Sequence, residues 1–169
     1  VENTTITVPE GNDAIVVYGQ YEDGNGQVTG GKGRSNVNIV SGTFNGNIAM
    51  YGKTVNDNIT ISGGTFNGEV SKDVKLAADI VIDENGNARV DNSDLQALVD
   101  KYEALNLKKA DYTASSWTAY TEALNDARFV LANVKATKED IVNVTAALED
   151  AYKALVKAED IPQTGDSSN

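Results

Sequence analysis

The sequence predicts a two-part chain, all-β and then all-α. A short β-solenoid-like region is expected over residues 1–90. An antiparallel three-helix bundle follows over 91–158, and a flexible polar tail over 159–169. Three observations carry this expectation. Fourteen of the 15 glycines lie between Gly11 and Gly86. At that boundary Asn, Gly, Thr, Ile and Val give way to Ala, Leu, Lys, Asp and Glu, a change from turn and strand formers to helix formers. Within the first part a segment repeats without a gap at an offset of 22 residues.

The repeat pairs VNIVSGTFNGNI at 37–48 with ITISGGTFNGEV at 59–70. Val37 falls on Ile59, Ile39 on Ile61, Thr43 on Thr65, Phe44 on Phe66 and Asn45 on Asn67. Alternation in Val37-Asn38-Ile39 and Ile59-Thr60-Ile61 sends apolar side chains to one face. A glycine corner, an inward Phe and an Asn-Gly turn complete each copy. Stacked copies of such a unit form a solenoid in which equivalent residues make ladders, with Phe44 and Phe66 as structural residues in register. A meander of two similar hairpins is the alternative, and it would pair 37–40 with 59–62 antiparallel. Ala14 to Tyr18 reads as a degenerate further copy. The repeat and the following ADIVIDENGNARV are similar to glycine-rich segments of large surface proteins in gut Firmicutes and related Gram-positive bacteria, where they form stalks or spacers.

Ile80-Val81-Ile82 and Ala88-Arg89-Val90 flank Asn85-Gly86, a strong hairpin signal. A second reading of this stretch is a calcium loop. Asp83, Asn85, Asn87, Asp91 and Asp94 offer oxygen at loop positions 1, 3, 5, 9 and 12. Ala88 stands where that loop needs glycine, so the hairpin is the preferred expectation, with no cofactor.

Helical spacing begins after Ser93, which with Gln96 is expected to form a capping box. The first helix, with Leu95, Leu98, Val99, Tyr102 and Leu105 on one face, is expected to end near Leu107. The Lys108-Lys109 pair beyond it reads as a solvated helix end rather than a binding patch. The second starts near Thr113 or Ala114 and turns Trp117, Tyr120, Leu124, Ala127, Leu131 and Val134 inward. The third is capped by Thr137, with Glu139 and Asp140 complementing the helix dipole. Its face is Ile141, Val144, Ala147, Leu148, Ala151 and Leu155. Trp117, the only Trp, is expected as a core anchor rather than a sugar-stacking platform.

The residues Tyr112-Thr113, Ser116-Trp117, Ala123-Leu124, Ala127, Val130-Leu131 and Ala136-Thr137 together resemble the FIVAR module over about residues 94–157. The usual Gln after Ala-Thr is Lys138 here. The resemblance implies a three-helix spacer of Gram-positive surface adhesins and secreted glycosidases, with host-protein or glycan binding described for some, and no catalysis.

The tail reads Ile161-Pro162-Gln163-Thr164-Gly165. This resembles the LPXTG sorting signal, with Ile for Leu. It implies a sortase whose cysteine attacks the Thr164–Gly165 peptide and passes the Thr164 acyl group to a peptidoglycan amine. Complete signals continue into an apolar segment and a basic end, the one route by which a membrane would be a partner.

Composition limits the chemistry. The chain has no cysteine and no histidine. That excludes disulfides, thiol nucleophiles, thiolate and imidazole metal sites, and the commonest general base. A net charge of −11 repels phosphate backbones, so nucleic acid is not expected as a partner. No stretch nears the ~18 apolar residues of a spanning helix. Val1-Glu2-Asn3 is neither an initiator Met nor a signal peptide, so a processed or excised chain is expected. The carboxylates of the helical part fall on polar faces with no acid/base dyad. The chain is expected to be a non-catalytic stalk and anchor of a larger cell-wall protein, extracellular. An adhesin module or an accessory region of a secreted glycoside hydrolase are the alternatives.

Overall fold

The computed structural model describes residues 1–18, 21–22, 25, 27–29, 35–51 and 58–160. It divides into two compact units, Val1–Asp91 and Asn92–Asn169.

Among the described residues the first unit contains twelve strands: β1 (Thr4–Thr7), β2 (Asp13–Tyr18), β3 (Tyr21–Glu22), β4 (Val28–Thr29), β5 (Asn36–Ile39), β6 (Gly42–Asn45), β7 (Asn47–Tyr51), β8 (Asn58–Ile61), β9 (Gly64–Phe66), β10 (Lys75–Leu76), β11 (Ile80–Ile82) and β12 (Asn87–Val90). The two copies of the repeat pair in parallel at their 22-residue offset. Val37 lies opposite Ile59 and Ile39 opposite Ile61 in β5–β8, and Phe44 lies opposite Phe66 in β6–β9. The antiparallel pairing of a meander is not formed. The Phe44 and Phe66 rings stack with centroids 5.2 Å apart. Ile39, Phe44, Ile48, Ile59 and Ile61 are buried in one core.

The polar positions of the repeat also form ladders. Asn67 Nδ2 donates to Asn45 Oδ1 (2.6 Å), and Asn45 Nδ2 donates to Thr7 Oγ1 (2.9 Å). Asn58 Nδ2 donates to Asn36 Oδ1 at 3.2 Å. An amide side chain carries both a donor and an acceptor, so identical Asn residues can satisfy one another along a stack. The corners are glycines for a steric reason: Gly42 and Gly64 hold φ of +125° and +111°, where a Cβ is strained.

Two of the strands that precede the repeat pair with it. β1 runs parallel to β6 with Ile6 opposite Phe44, and β2 runs parallel to β7 with Ile15 opposite Ile48. The segment Ala14 to Tyr18 is thus a strand of the same parallel kind. β1 was not anticipated from the sequence, since it pairs at an offset of 38 residues rather than 22. At the other end β11 and β12 form the expected antiparallel hairpin, with Ile80 opposite Val90 and Ile82 opposite Ala88. β12 then pairs antiparallel with β9, which ends the parallel series on that side.

The second unit holds α1 (Ser93–Ala104), α2 (Ala114–Ala132) and α3 (Lys138–Lys153), with single 3-10 turns at Lys109–Asp111 and Ala158–Asp160. The helices share a core of Leu95, Val99, Tyr102, Tyr120, Ala123, Leu124, Ala127 and Leu148. Several expected boundaries shift. Asn92, not Ser93, takes the N-cap position of α1, and it makes no side-chain capping bond. Gln96 donates its side-chain amide to Asp100 Oδ1 (2.8 Å). The helix stops at Ala104 rather than near Leu107, because Asn106 adopts φ +48°, the left-handed conformation that terminates helices. Val134 lies past the end of α2 and is exposed, and Ala147 is exposed on α3. Trp117 is half-buried against the core.

Thr137 caps α3 as expected, and Thr113, near which α2 was expected to start, caps that helix. Thr113 accepts from the Ser116 N–H (3.4 Å). Thr137 and Asp140 close a reciprocal capping box. The Thr137 hydroxyl accepts from the Asp140 N–H (3.1 Å), and the Asp140 carboxylate accepts from the Thr137 N–H (2.8 Å).

Candidate functional site

The residues of the Tyr112-Thr113…Ser116-Trp117 motif act as a clasp on the chain that leaves α3. Ser116 Oγ accepts from the Val156 N–H (3.1 Å), and the Val156 carbonyl accepts from the Thr113 N–H (2.9 Å). Tyr112 and Lys157 form a single antiparallel bridge, and the Lys157 ammonium sits 4.6 Å from the centre of the Tyr112 ring. A cation over an aromatic face in this geometry is attractive by roughly 0.5–1 kcal/mol at an exposed site. The motif thus caps α2 and pins residues 156–157 to its first turn.

Beside the clasp the aromatic residues form a continuous cluster. Tyr112 stacks on Trp117 at 5.9 Å, and Trp117 meets Tyr120 at 5.8 Å. Tyr102 stacks on Tyr152 at 4.2 Å and meets Tyr120 edge-on at 6.4 Å. Burial first, then nearby Tyr152, raises the Tyr120 phenol above its ordinary range. Burial likewise raises Tyr102. Both hydroxyls therefore stay protonated at neutral pH. Sequence spacing found Tyr102 and Tyr120 as core positions. It missed Tyr152, which falls outside the main apolar stripe of α3.

Between α1 and α2 this cluster opens into a groove of about 440 Å³ with Trp117 and Tyr120 on its wall. Its rim is polar. Arg128 donates through Nε and Nη2 to Glu103 Oε1 at 2.9 and 2.7 Å, and through Nη1 to Asn125 Oδ1 at 3.1 Å. The pair is half exposed, so its contribution to stability is small. The groove offers stacking and hydrogen-bonding surfaces and no acid/base pair.

The Asp83 turn is the second place of interest. Asp83 Oδ1 accepts from the N–H groups of Asn85 and Asn87, each at 2.9 Å, and Asn87 Nδ2 lies 3.3 Å from both carboxylate oxygens. Arg89 Nη1 lies 3.9 Å from Oδ2. Burial pushes this carboxyl up, but the Asn87 and Asn85 donors and the Arg89 charge outweigh it and hold it below the usual aspartate range. The carboxylate serves as the acceptor that shapes the hairpin turn. Of the other proposed calcium ligands, Asn85 and Asn87 belong to this turn. Asp91 follows β12, and Asp94 lies in the first turn of α1. Among the described residues no group of three or more acidic side chains is placed to hold a metal ion. Ile161, Pro162, Gln163, Thr164 and Gly165 lie outside the described residues.

The chain thus carries two separately built modules, a parallel-paired β unit and a helical unit with a clasped exit. The comparisons agree for the helical part. Residues 91–156 match the FIVAR domain, a non-catalytic accessory module. Two relatives match over 68 residues, 40% of this chain. The polysaccharide lyase 8 family protein HylA of Enterococcus faecalis is 40% identical, and the match covers 5% of its length. The lacto-N-biosidase of Bifidobacterium longum is 43% identical, with 4% of its length covered. The chain thus spans about a twentieth of the curated relatives it matches. No solved structure shows a significant match. Among the described residues no helix is long and apolar enough to cross a membrane.

Proposed function

We propose that this chain is a non-catalytic stalk and anchoring segment of a larger extracellular protein. In this reading the β unit is a short solenoid spacer, and the FIVAR-like unit is a second spacer that ends in a sorting signal. The observation that carries it is the match itself: one 68-residue helical module, reused as a twentieth of much larger proteins. A spacer needs a rigid body with defined entry and exit, and the clasp at residues 112–117 and 156–157 supplies the exit. It needs no histidine, cysteine or cofactor, and the chain has neither residue.

Anchoring follows from Pro162, Thr164 and Gly165 at the spacing of the LPXTG signal. A sortase thiolate attacks the Thr164 carbonyl, the Thr164–Gly165 bond breaks, and the released amine leaves with Gly165 to Asn169. A cell-wall amine then takes the Thr164 acyl group from the thioester. The test is transpeptidation with a small amine nucleophile. The product expected ends at Thr164 and carries the amine. Thr164→Ala should abolish it, and Gln163→Ala should leave it nearly unchanged. No product with sortases strict or permissive for the first position would remove the anchoring role.

A second reading has its own support. Both relatives are named for action on carbohydrates, and the groove beside Trp117 joins an aromatic wall to amide and charged groups, the surface that sugars favour. An accessory or adhesin module that holds a glycan would show saturable micromolar binding on a glycan array, lost in Trp117→Ala. A pure spacer would show none.

A further inference from the structure

Among the described residues several strands of the first unit have a single neighbour in their sheets, β1, β2 and β5 among them. The β5 edge is the most informative. On its other side, Asn58 N–H donates to Ser35 C=O (2.8 Å) and Ser62 N–H to Ile39 C=O (2.9 Å). Odd-numbered residues of β5 therefore face β8. Strand alternation turns the backbone groups of Asn36 and Asn38 to the opposite edge.

Val1 already occupies the end of that edge. Its amine nitrogen donates to Asn38 C=O (2.5 Å), and its carbonyl accepts from Val40 N–H (3.0 Å). These two bonds are the pattern of a parallel bridge between Val1 and Ile39. The bridge keeps the 38-residue offset of β1 on β6, and so does the bond from Asn3 N–H to Ser41 Oγ (2.8 Å). Val1 is thus bonded in register with Ile39 and in the parallel sense, one corner upstream of β1, where Asn3 holds φ +48°. Among the described residues Asn36 C=O and Asn38 N–H stand as the next acceptor and donor along the path.

We propose that the β5 edge is the docking site of an extended strand covalently continuous with Val1, in a longer form of this protein, which forms a fourth strand on the sheet β10–β8–β5. This rests on the reading of the first unit as a stack of parallel rungs. The register fixes the chemistry of the occupant. The residue immediately before Val1 lies over Asn38, the second over Val37 and the third over Asn36. The second residue donates its N–H to Asn36 C=O and accepts from Asn38 N–H. It is apolar, because it continues the stack of Val37 on Ile59. The first and third are small polar residues, Asn above all, because Asn36 already extends such a ladder to Asn58. A second copy of the chain is a poor occupant. Val1 blocks the edge at Ile39, and the short free stretch that remains gives a separate chain little to hold. A covalent continuation is held there at high effective concentration.

The test adds Asn-Val-Asn ahead of Val1 in the full chain and compares it with an Asn-Pro-Asn extension and the parent. The readout is amide hydrogen exchange. In the parent, Asn38 N–H should exchange fast while Val37 and Ile39 N–H, bonded to β8, are slow. The Asn-Val-Asn extension should slow Asn38 N–H by about tenfold or more. The Pro version should not, because it lacks the N–H that Asn36 C=O requires. An unchanged Asn38 N–H in the extended chain overturns the proposal, as does an Asn38 N–H already protected in the parent. Protection that rises with protein concentration overturns it in favour of a second copy. Fast exchange at Val37 and Ile39 in the parent would instead refute the stacked-rung reading beneath it.

Discussion

Gly68 lies directly on Gly46 in the stack, and a Cβ placed on it would sit 2.5 Å from the Gly46 carbonyl carbon and oxygen. Backbone cannot rotate away as a side chain can, so Gly68→Ala must spread two layers. We expect it to destabilise the first unit by about 1–3 kcal/mol, the usual cost of overpacking. Urea unfolding followed by circular dichroism checks it, and an unchanged midpoint would mean the layers are looser than this. Trp117→Ala tests the other unit. The indole is half-buried, so its loss should cost roughly 1–3 kcal/mol, below the ~3–5 kcal/mol of a fully buried aromatic. A larger loss would place it among the true core positions. At this scale the sequence was readable where identity repeats, as with Phe44 on Phe66 and Asn45 on Asn67. It was less readable where partners come from separate elements. Nothing local marks Tyr152 for Tyr102, Lys157 for Tyr112 or Glu103 for Arg128.

Elements were legible when their signals were self-contained. The α3 cap sits on Thr137 as read, and the structure adds the reciprocal bond from Asp140, whereas the α1 cap depends on which residue takes the non-helical conformation, and Asn92 took it. The α3 cap is also a pH-sensitive element. Bonds from the Thr137 N–H, then its hydroxyl, hold the Asp140 carboxyl below the ordinary aspartate range. A carboxyl lowered on folding contributes fully above its unfolded value, about pH 4. The contribution fades as pH falls through the lower folded value. Asp140→Asn should therefore destabilise the helical unit at pH 6–7, and the gap to the parent should narrow toward pH 2–3. Thermal melts of the parent and Asp140→Asn across that range read the difference directly, and Asp83, common to both, cancels. A gap independent of pH would show that the carboxylate charge plays no part in the cap. Thr137→Ala, which removes the hydroxyl donor and acceptor, should cost about 1 kcal/mol at neutral pH. The strand β1 was missed for a different reason. The chain between its layer and the next is longer than between the two repeat copies, so a fixed offset of 22 cannot align it.

The two halves were separable in the sequence because their hydrophobic periods differ, two in the β part and three to four in the helical part. The structure draws their cores from disjoint sets, Phe44, Ile39 and Ile61 with their neighbours in one, Leu95, Tyr120 and Leu148 with theirs in the other. The parallel pairs β1–β6, β2–β7, β5–β8 and β6–β9 join residues 22 to 38 apart, while the helical unit folds over short connections. Units with separate cores should unfold as separate cooperative transitions, and the helical one should refold faster because its contacts are more local. Residues 92–158 alone should give a helical circular-dichroism spectrum and a sigmoidal melt. In the full chain, Phe66→Ala should lower only the transition seen by strand amides, by about 3–5 kcal/mol. Trp117 fluorescence, which reports on the helices alone, should keep its midpoint. Coincident shifts of both signals would show that the units fold as one body, and a disordered spectrum for 92–158 would show that the helices depend on the strands. If the signals separate, each unit can be lengthened, duplicated or replaced without loss of the other, which is the physical property a stalk assembled from modules requires.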